Sequence, residues 1–211
     1  MFSRGWAWLV KVPVIIVILS FSQVQAKEPV VLVVGDSISA AFGLPVQEGW
    51  VALMAKDLKK SVPKAQVVNA SISGDTTQGG LARLPTLLSK YQPTLTIIEL
   101  GGNDGLRGTP IYIIKENLKS MIVLAKNNGS RILLLGMQIP PNYGEKYTRL
   151  FQKMYLDLAK EMQVPAVPFL LKDIADKPKL MQADGIHPKA EAQAAIYALV
   201  KPHLRSLKSP K

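Results

Sequence analysis

The chain has 211 residues, with 26 Lys and Arg against 15 Asp and Glu, two His and no Cys. This length suits one domain, because single hydrophobic cores usually stop growing at roughly 250 residues. The lack of cysteine excludes disulfides, thiolate nucleophiles and cysteine-ligated metal sites, and two histidines are too few for a His-rich metal site. The basic residues are dispersed and no basic stripe interleaves with aromatic residues, which argues against nucleic-acid binding.

The first 26 residues are typical of an export signal. Arg4 and Lys11 supply positive charge, an apolar run follows at residues 12–21, and Val24-Gln25-Ala26 offers the small residues that a signal peptidase reads. A membrane anchor is the alternative, but Lys11 interrupts a stretch that would need about 20 apolar residues. We expect residues 1–26 to be a signal peptide and residues 27–211 to be a single exported domain, periplasmic or secreted. That domain would keep 24 Lys and Arg against 15 Asp and Glu, and its charge of +9 favours anionic surfaces.

Short apolar runs alternate with longer amphipathic stretches along the rest of the chain. Strands are predicted at residues 30–34, 66–72, 95–100, 131–139 and 164–169, and helices at 50–60, 76–91, 110–128, 145–163 and 190–199. Pro85 predicts a kink or an early end of the second helix, and Thr109 is predicted to cap the third, with Pro110 at its first position. Residues 140–144 and 170–185 are predicted loops. Five strand–helix repeats indicate a parallel sheet covered by helices on both faces.

Four polar segments follow these strands or precede the last helix. Gly35-Asp36-Ser37 follows the first strand, Ser73-Gly74-Asp75 the second, and Gly101-Gly102-Asn103-Asp104 the third. Asp184-Gly185-Ile186-His187 is predicted to open the last helix. Functional groups gather at the carboxyl ends of parallel strands, so we expect the four segments to meet at one edge of the sheet.

Two of these segments carry the residue types of an activated serine. Ser37 needs a base to take its proton, and His187 has Asp184 three residues before it, whereas His203 has no acidic neighbour. Asp184 could accept from the imidazole Nδ1–H and leave Nε2 to act on Ser37. A capped helix start explains Asp184 and His187 equally well.

Backbone and amide N–H groups in the same segments could stabilise an oxyanion. The N–H groups of Ser37 and Gly74 and the side-chain amide of Asn103 are the candidate donors. Taken singly, Gly74 is more simply a turn glycine and Asn103 a loop residue that bonds its own backbone. Four such polar segments in this order after successive strands are much stronger evidence for a catalytic site than any one of them alone.

The sequence as a whole resembles the SGNH (GDSL-type) hydrolase family, and within it the bacterial periplasmic thioesterase I, lysophospholipase and arylesterase group. The likeness covers residues 30–204 and is carried by residues 35–40, 69–77, 99–108 and 184–188. It implies a flavodoxin-like three-layer α/β/α sandwich with a five-stranded parallel sheet and no metal or organic cofactor. It also implies a triad of Ser37, Asp184 and His187, and an oxyanion hole of Ser37, Gly74 and Asn103. Ile38 departs conservatively from the leucine of the family pattern.

The resemblance implies a serine hydrolase that cleaves medium-to-long acyl esters and thioesters, including lysophospholipids, with possible transient contact with anionic lipid surfaces. Residues 105–110 match a mobile flap of that group, and the short loop at residues 140–144 leaves the preferred acyl length open. An acyl groove would need apolar walls, although each apolar side chain is also explained as core. The candidates are Leu106, Ile111, Ile139, Tyr143 and Met181.

Two other functions are weighed against this one. The first is a short-acyl carbohydrate acetylesterase of the same superfamily. The second is a non-catalytic phosphate- or flavin-binding module, because glycine-rich loops after parallel strands also cradle phosphates. No Gly-x-Gly-x-x-Gly or Walker-type loop occurs, however, and a phosphate binder would not require Asp184 and His187.

Overall fold

A computed structural model describes residues 28–207, so the predicted signal peptide lies outside the described residues. The strands in this range are β1 (Val30–Gly35), β2 (Gln66–Asn69), β3 (Leu95–Glu99), β4 (Arg131–Leu135) and β5 (Ala166–Val167). The α-helices are α1 (Trp50–Ser61), α2 (Thr77–Tyr91), α3 (Gly102–Leu106), α4 (Ile111–Asn127), α5 (Glu145–Met162) and α6 (Ala190–Val200). None of the helices in this range has the length and apolarity needed to cross a membrane.

The strands form one parallel sheet in the order β2-β1-β3-β4-β5. The chain moves from β1 to β2 at one edge and then returns past β1 to β3. This reversal creates a switch point between β1 and β3, where the connections leave in opposite directions and a crevice opens at the carboxyl ends. The predicted flavodoxin-like α/β/α sandwich with a five-stranded parallel sheet is therefore confirmed.

Alternate side chains of the central strands pack into two separate cores. In β1, Val31 and Val33 face a core completed by α1 and α6, whereas Leu32 and Val34 face one completed by α2, α4 and α5. All four side chains are fully buried, as expected for a strand covered on both faces. This continuous apolar run is the pattern that distinguishes a central parallel strand from a half-exposed one.

Three strands are shorter than the sequence predicts by more than one residue, and β3 ends one residue early, at Glu99. β5 spans two residues instead of residues 164–169, because Pro165 and Pro168 flank it and have no N–H to donate to a ladder. On its outer side, β4 therefore pairs with only two residues of β5, and it ends at Leu135 instead of residue 139. β2 ends at Asn69 instead of residue 72, and the Asn69 side chain accepts from the Ser71 N–H there, although the N–H groups of Ala70 and Ile72 still donate to β1.

The helices depart from the sequence predictions in four respects. α2 runs through Pro85 without ending there, because the flanking Leu84 and Leu88 are buried against the sheet. Pro110 lies outside α4, which begins one residue later, and Thr109 is not its cap. The segment after β3 is the short helix α3 and not a loop. The last helix begins at Ala190, so Asp184 and His187 lie in a turn before it.

Two adjacent isoleucines of α4 test which face of that helix holds the fold together. Ile114 is fully buried in the core, whereas Ile113 is 37% exposed. Ile114→Ala should lower the free energy of unfolding in urea by about 2–5 kcal/mol, because it removes buried methyl groups and leaves a cavity. Ile113→Ala, the matched control, should lower it by less than about 1 kcal/mol. Equal losses at the two positions would contradict this assignment of the helix face.

Candidate active site

Ser37, His187 and Asp184 form a continuous hydrogen-bonded chain at the carboxyl edge of the sheet. His187 Nε2 lies 2.8 Å from Ser37 Oγ, and His187 Nδ1 lies 2.7 Å from Asp184 Oδ2. Ser37 and His187 come together although 150 positions separate them along the chain. Since Asp184 can only accept when it is ionised, it selects the tautomer with hydrogen on Nδ1, which leaves Nε2 free to accept from Ser37.

The position of Ser37 depends on the tight turn at the end of β1. Ala40 N–H donates to Asp36 O, and Phe42 N–H donates to Ser37 O, so the chain curls back as soon as the strand ends. The turn packs against the end of β3, where an added Cβ on Gly35 would lie 2.6 Å from a Glu99 carboxyl oxygen. Glycine at residue 35 therefore allows the nucleophile turn and β3 to approach closely.

The turn that carries His187 is fixed by Asp184. Its Oδ1 accepts from the N–H groups of Ile186 and His187, and its Oδ2 accepts from the imidazole. Partial burial raises the pKa of Asp184, but the hydrogen bonds from His187 and Ile186 outweigh this effect and bring the pKa down to about 2. Asp184 therefore stays ionised throughout the pH range in which histidines titrate.

Two residues that the sequence did not single out connect the serine turn with the histidine turn. The Gln182 side chain donates to Phe42 O at 2.8 Å and to Pro188 O at 3.2 Å. The Phe42 ring lies against the His187 ring with their centroids 4.4 Å apart, although its side chain is 49% exposed. The Gln182–Phe42 and Phe42–His187 contacts join residues about 140 positions apart or more, so no local pattern could have revealed them.

The three candidate oxyanion donors differ in whether their hydrogens already have an acceptor in the protein. Within residues 28–207, the N–H groups of Ser37 and Gly74 have no protein acceptor. Gly74 adopts φ of +80°, which favours glycine and turns its N–H away from the regular ladder. The Asn103 amide, in contrast, donates to Asp36 Oδ2 at 3.2 Å and to Asp75 O at 3.0 Å. An oxyanion would have to compete for one of these two hydrogens.

Ion pairs and hydrogen bonds hold the second and third segments together. Arg83 makes two contacts with Asp75 Oδ2, from Nε at 2.8 Å and from Nη2 at 2.7 Å. Asp104 is buried and accepts from both the N–H and the hydroxyl of Thr77, at the start of α2. Arg107 donates to Gly74 O. These contacts join the loop after β2 to α3, so Gly74 and Asn103 keep a fixed separation.

A cavity of about 730 Å³ opens beside Ser37 and His187. Of the five predicted groove residues, Leu106, Ile139 and Met181 line it, whereas Ile111 and Tyr143 do not. Ile111 packs partly buried against the core under α4, and Tyr143 points outward with 38% exposure. Sequence reasoning missed the apolar walls that come from the segments after β4 and β5, which are Met137, Pro140, Pro141, Phe169, Leu170 and Leu171.

The described residues hold no cluster of three or more His, Asp or Glu side chains that could bind a metal ion. The polar residues that line the cavity are Asp36, Ser37, Asn103, Gln138, Lys172, Asp173, Asp176 and His187. Among them are a serine, its histidine and the Asn103 amide. This donor set suits a reaction in which a carbonyl is attacked by an oxygen nucleophile and its oxygen becomes negative.

Comparison with known proteins finds close relatives. Esterase TesA from Pseudomonas aeruginosa is 50% identical over 183 residues, which cover 87% of this chain and 91% of that protein. Thioesterase 1/protease 1/lysophospholipase L1 from Escherichia coli K12 is 42% identical over 181 residues, which cover 86% and 85% of the two chains. The crystal structure of psychrotrophic esterase EstA from Pseudoalteromonas sp., inhibited by monoethylphosphonate, has a TM-score of 0.79 and 37% identity, and covers 84% of this chain and 97% of its own.

The family assignment rests on most of the described fold. The model of the GDSL-like lipase/acylhydrolase family matches residues 33–195, which include all four polar segments. The family resemblance read from the sequence is therefore confirmed, and the chain belongs to the GDSL-like lipase/acylhydrolase family.

Proposed function

We propose that this protein hydrolyses carboxylic esters and thioesters through an acyl-enzyme intermediate on Ser37. The hydrogen-bonded chain from Asp184 through His187 to Ser37 carries the proposal, because it supplies a nucleophile, a base and an orienting carboxylate in one line. The relatives named esterase and thioesterase support the same reaction. A phosphate- or flavin-binding module would have no use for this arrangement.

The geometry suggests how each group would act. As Ser37 Oγ attacks the carbonyl carbon, its proton passes to His187 Nε2, and the carbonyl oxygen becomes an oxyanion. We propose that the free N–H groups of Ser37 and Gly74 donate to that oxygen, with Asn103 as the third donor. His187 then gives the proton to the leaving alcohol or thiol. A water molecule then attacks the acyl carbon and gives its proton to His187 Nε2, the bond to Ser37 Oγ breaks, and His187 returns the proton to Oγ as the acid leaves.

We expect the two histidines to differ completely in their effect on activity. Ser37→Ala and His187→Ala should each lower kcat by about 10⁴-fold or more, and the two losses should not add because the residues act as a unit. His203→Ala, the matched control, should leave kcat unchanged. Asp184→Asn should lower kcat by a similar or somewhat smaller factor than Ser37→Ala and His187→Ala. Steady-state kinetics on p-nitrophenyl butyrate, together with fluorophosphonate labelling, measures these effects.

The acid limb of the pH profile provides a further check on the same assignment. Activity should fall on acidification, because Nε2 can accept the proton of Ser37 only when the imidazole is neutral. Since the pKa of Asp184 is about 2, that carboxylate should not contribute to the limb. Near wild-type turnover by Ser37→Ala, or labelling that persists in that variant, would overturn the proposal.

The cavity favours acyl groups longer than acetate. Its walls beside Ser37 are mainly apolar, and each methylene transferred from water into such walls contributes up to about 0.8 kcal/mol. We therefore propose medium-to-long acyl esters and thioesters, including lysophospholipids, as substrates. Phe42 and Ile186 are exposed near the cavity, and the expected mature charge is +9, so transient contact with an anionic lipid surface is part of this proposal.

A series of p-nitrophenyl esters from acetate to palmitate tests the acyl preference. We expect kcat/KM to rise several-fold per two carbons and to level off at about eight to twelve carbons, once the groove is full. Leu106→Phe, which narrows the cavity, should penalise long esters more than short ones. Leu150→Phe is the matched control, since Leu150 is exposed on α5 and lies outside the cavity.

The same protein preparation tests the lipid contact. Added salt should slow hydrolysis of lysophospholipid in anionic vesicles but spare the soluble esters, because only the vesicles attract the protein through long-range charge. A steep preference for acetate without turnover of longer esters would favour the short-acyl carbohydrate esterase instead. Equal salt effects on vesicles and soluble esters would remove the lipid surface from the proposal.

We also propose that the protein is exported, with residues 1–26 removed. Charge at Arg4 and Lys11, the apolar run and the small residues before Lys27 motivate this proposal. N-terminal sequencing of protein recovered from the periplasm or medium of its native host should begin at Lys27. Recovery of full-length protein from the cytosol would contradict it.

A further inference from the structure

The third oxyanion donor is held by a neighbouring carboxyl group. Both hydrogens of the Asn103 amide have acceptors, and one of these acceptors is Asp36 Oδ2, at 3.2 Å. Asp36 itself is buried, with 2% exposure, and its Oδ1 accepts from the Ile38 N–H. The strength with which Asp36 holds Asn103 therefore decides how readily the amide can turn its hydrogen toward a developing oxyanion.

A second carboxyl group, Glu99 at the end of β3, lies against Asp36 with no solvent exposure at all. Its Oε2 accepts twice, from the Asp36 N–H at 3.1 Å and from the Ser39 hydroxyl at 2.6 Å. Its Oε1 is buried and receives no hydrogen bond within the described residues, and the side chains of Glu99 and Asp36 are themselves in hydrogen-bond contact. An ionised carboxylate with one bare oxygen beside a second carboxylate is strongly unfavourable in such a place.

A proton on Glu99 resolves this arrangement. Because Oε2 already receives two hydrogens, the acid proton belongs on Oε1, where it gives the orphaned oxygen a hydrogen to donate. Burial and the negative charge of Asp36 both raise the pKa of Glu99. Burial also raises the pKa of Asp36, but hydrogen bonds from Ile38 and Glu99 oppose this effect. These directions favour one proton on Glu99 and one negative charge on Asp36.

We propose that Glu99 is a positioning residue that acts as a buried carboxylic acid: it donates to Asp36 and through Asp36 sets the Asn103 amide. Donation draws negative charge away from Asp36, so that this carboxylate competes less with the oxyanion for the Asn103 N–H. It also weakens the negative field beside the place where the oxyanion forms. The inference rests on the proposed esterase function, because it concerns the same oxyanion hole.

Glu99→Gln and Glu99→Met separate this role from mere filling of space. The glutamine oxygen can accept from the Asp36 N–H and Ser39 while its amide donates to Asp36, so this variant should keep most of the wild-type kcat. Methionine has similar length but neither donates nor accepts. It should lower kcat by roughly 10-fold or more, with little change in KM, yet by less than the 10²- to 10³-fold expected for Asn103→Ala.

Infrared spectroscopy at neutral pH tests the protonation directly. The wild-type protein should show a carboxylic-acid C=O band that shifts in ²H₂O, and Glu99→Gln should lack it. Ser39→Ala is the control that keeps this band, because it removes a donor to Oε2 and not the acid proton. Absence of the band from the wild-type protein would overturn the proposal, even if Glu99→Met fails to fold.

Two controls distinguish failure of the positioning role of Glu99 from failure of the proposed esterase function. Thermal unfolding identifies variants that have simply lost the fold, and Ser37→Ala is measured in parallel. Should Ser37→Ala remain active, the proposed function itself fails. Should Ser37→Ala be inactive while folded Glu99→Gln loses as much kcat as Asn103→Ala, the esterase stands and the positioning role of Glu99 is wrong.

Discussion

The register between β1 and β3 pairs Gly35 with Glu99 at the carboxyl ends of both strands. This pairing brings the serine turn beside the start of α3, because Asp36 and Ser37 follow one strand and Asn103 the other. It works only without a side chain at residue 35, where a Cβ would meet the Glu99 carboxyl group. A shift of one residue in this register would separate the nucleophile from the Asn103 amide.

Two kinds of carboxyl environment meet around this pairing. Asp184 has 38% of its side chain exposed and accepts three hydrogen bonds, so its pKa is lowered and it keeps a negative charge for the imidazole. Glu99 is fully buried next to another carboxyl group, so its pKa is raised. Opposite environments therefore shift the pKa of the same functional group in opposite directions, which favours the charged form of Asp184 and the neutral form of Glu99.

The remaining parts of the site are joined by contacts between turns and not by the sheet itself. Gln182 connects the serine and histidine turns, and the Arg83–Asp75 and Thr77–Asp104 contacts connect the turn after β2 to α3. Two of these contacts satisfy backbone groups, the Phe42 carbonyl in a turn and the Thr77 N–H at the start of α2, that have no partner in regular structure. The triad and the candidate donors are thus fixed relative to each other, while the cavity walls come from later segments of the chain.

Local sequence was sufficient to predict the parallel sheet, because continuous apolar runs alternating with amphipathic stretches have few other solutions. It also identified Ser37, Asp184 and His187, since each lies in a polar segment expected at the same edge of that sheet. Strand ends were less predictable: Pro165 and Pro168 shorten β5, and through it β4, by withholding ladder hydrogens. The two prolines are visible in the sequence, but their effect on β4 depends on its pairing with β5, which the local pattern does not show.

Tertiary structure alone decided which apolar residues line the cavity and which polar residues support the triad. Leu106 and Ile111 look alike in sequence, yet only Leu106 faces the cavity, because α3 and α4 orient them differently. Glu99 reads as an ordinary strand-end acid until its pairing with Gly35 buries it beside Asp36. Sequence specified the candidate catalytic residues, because their types and order are local. Long-range packing set their burial and partners, since these depend on segments far apart in the chain.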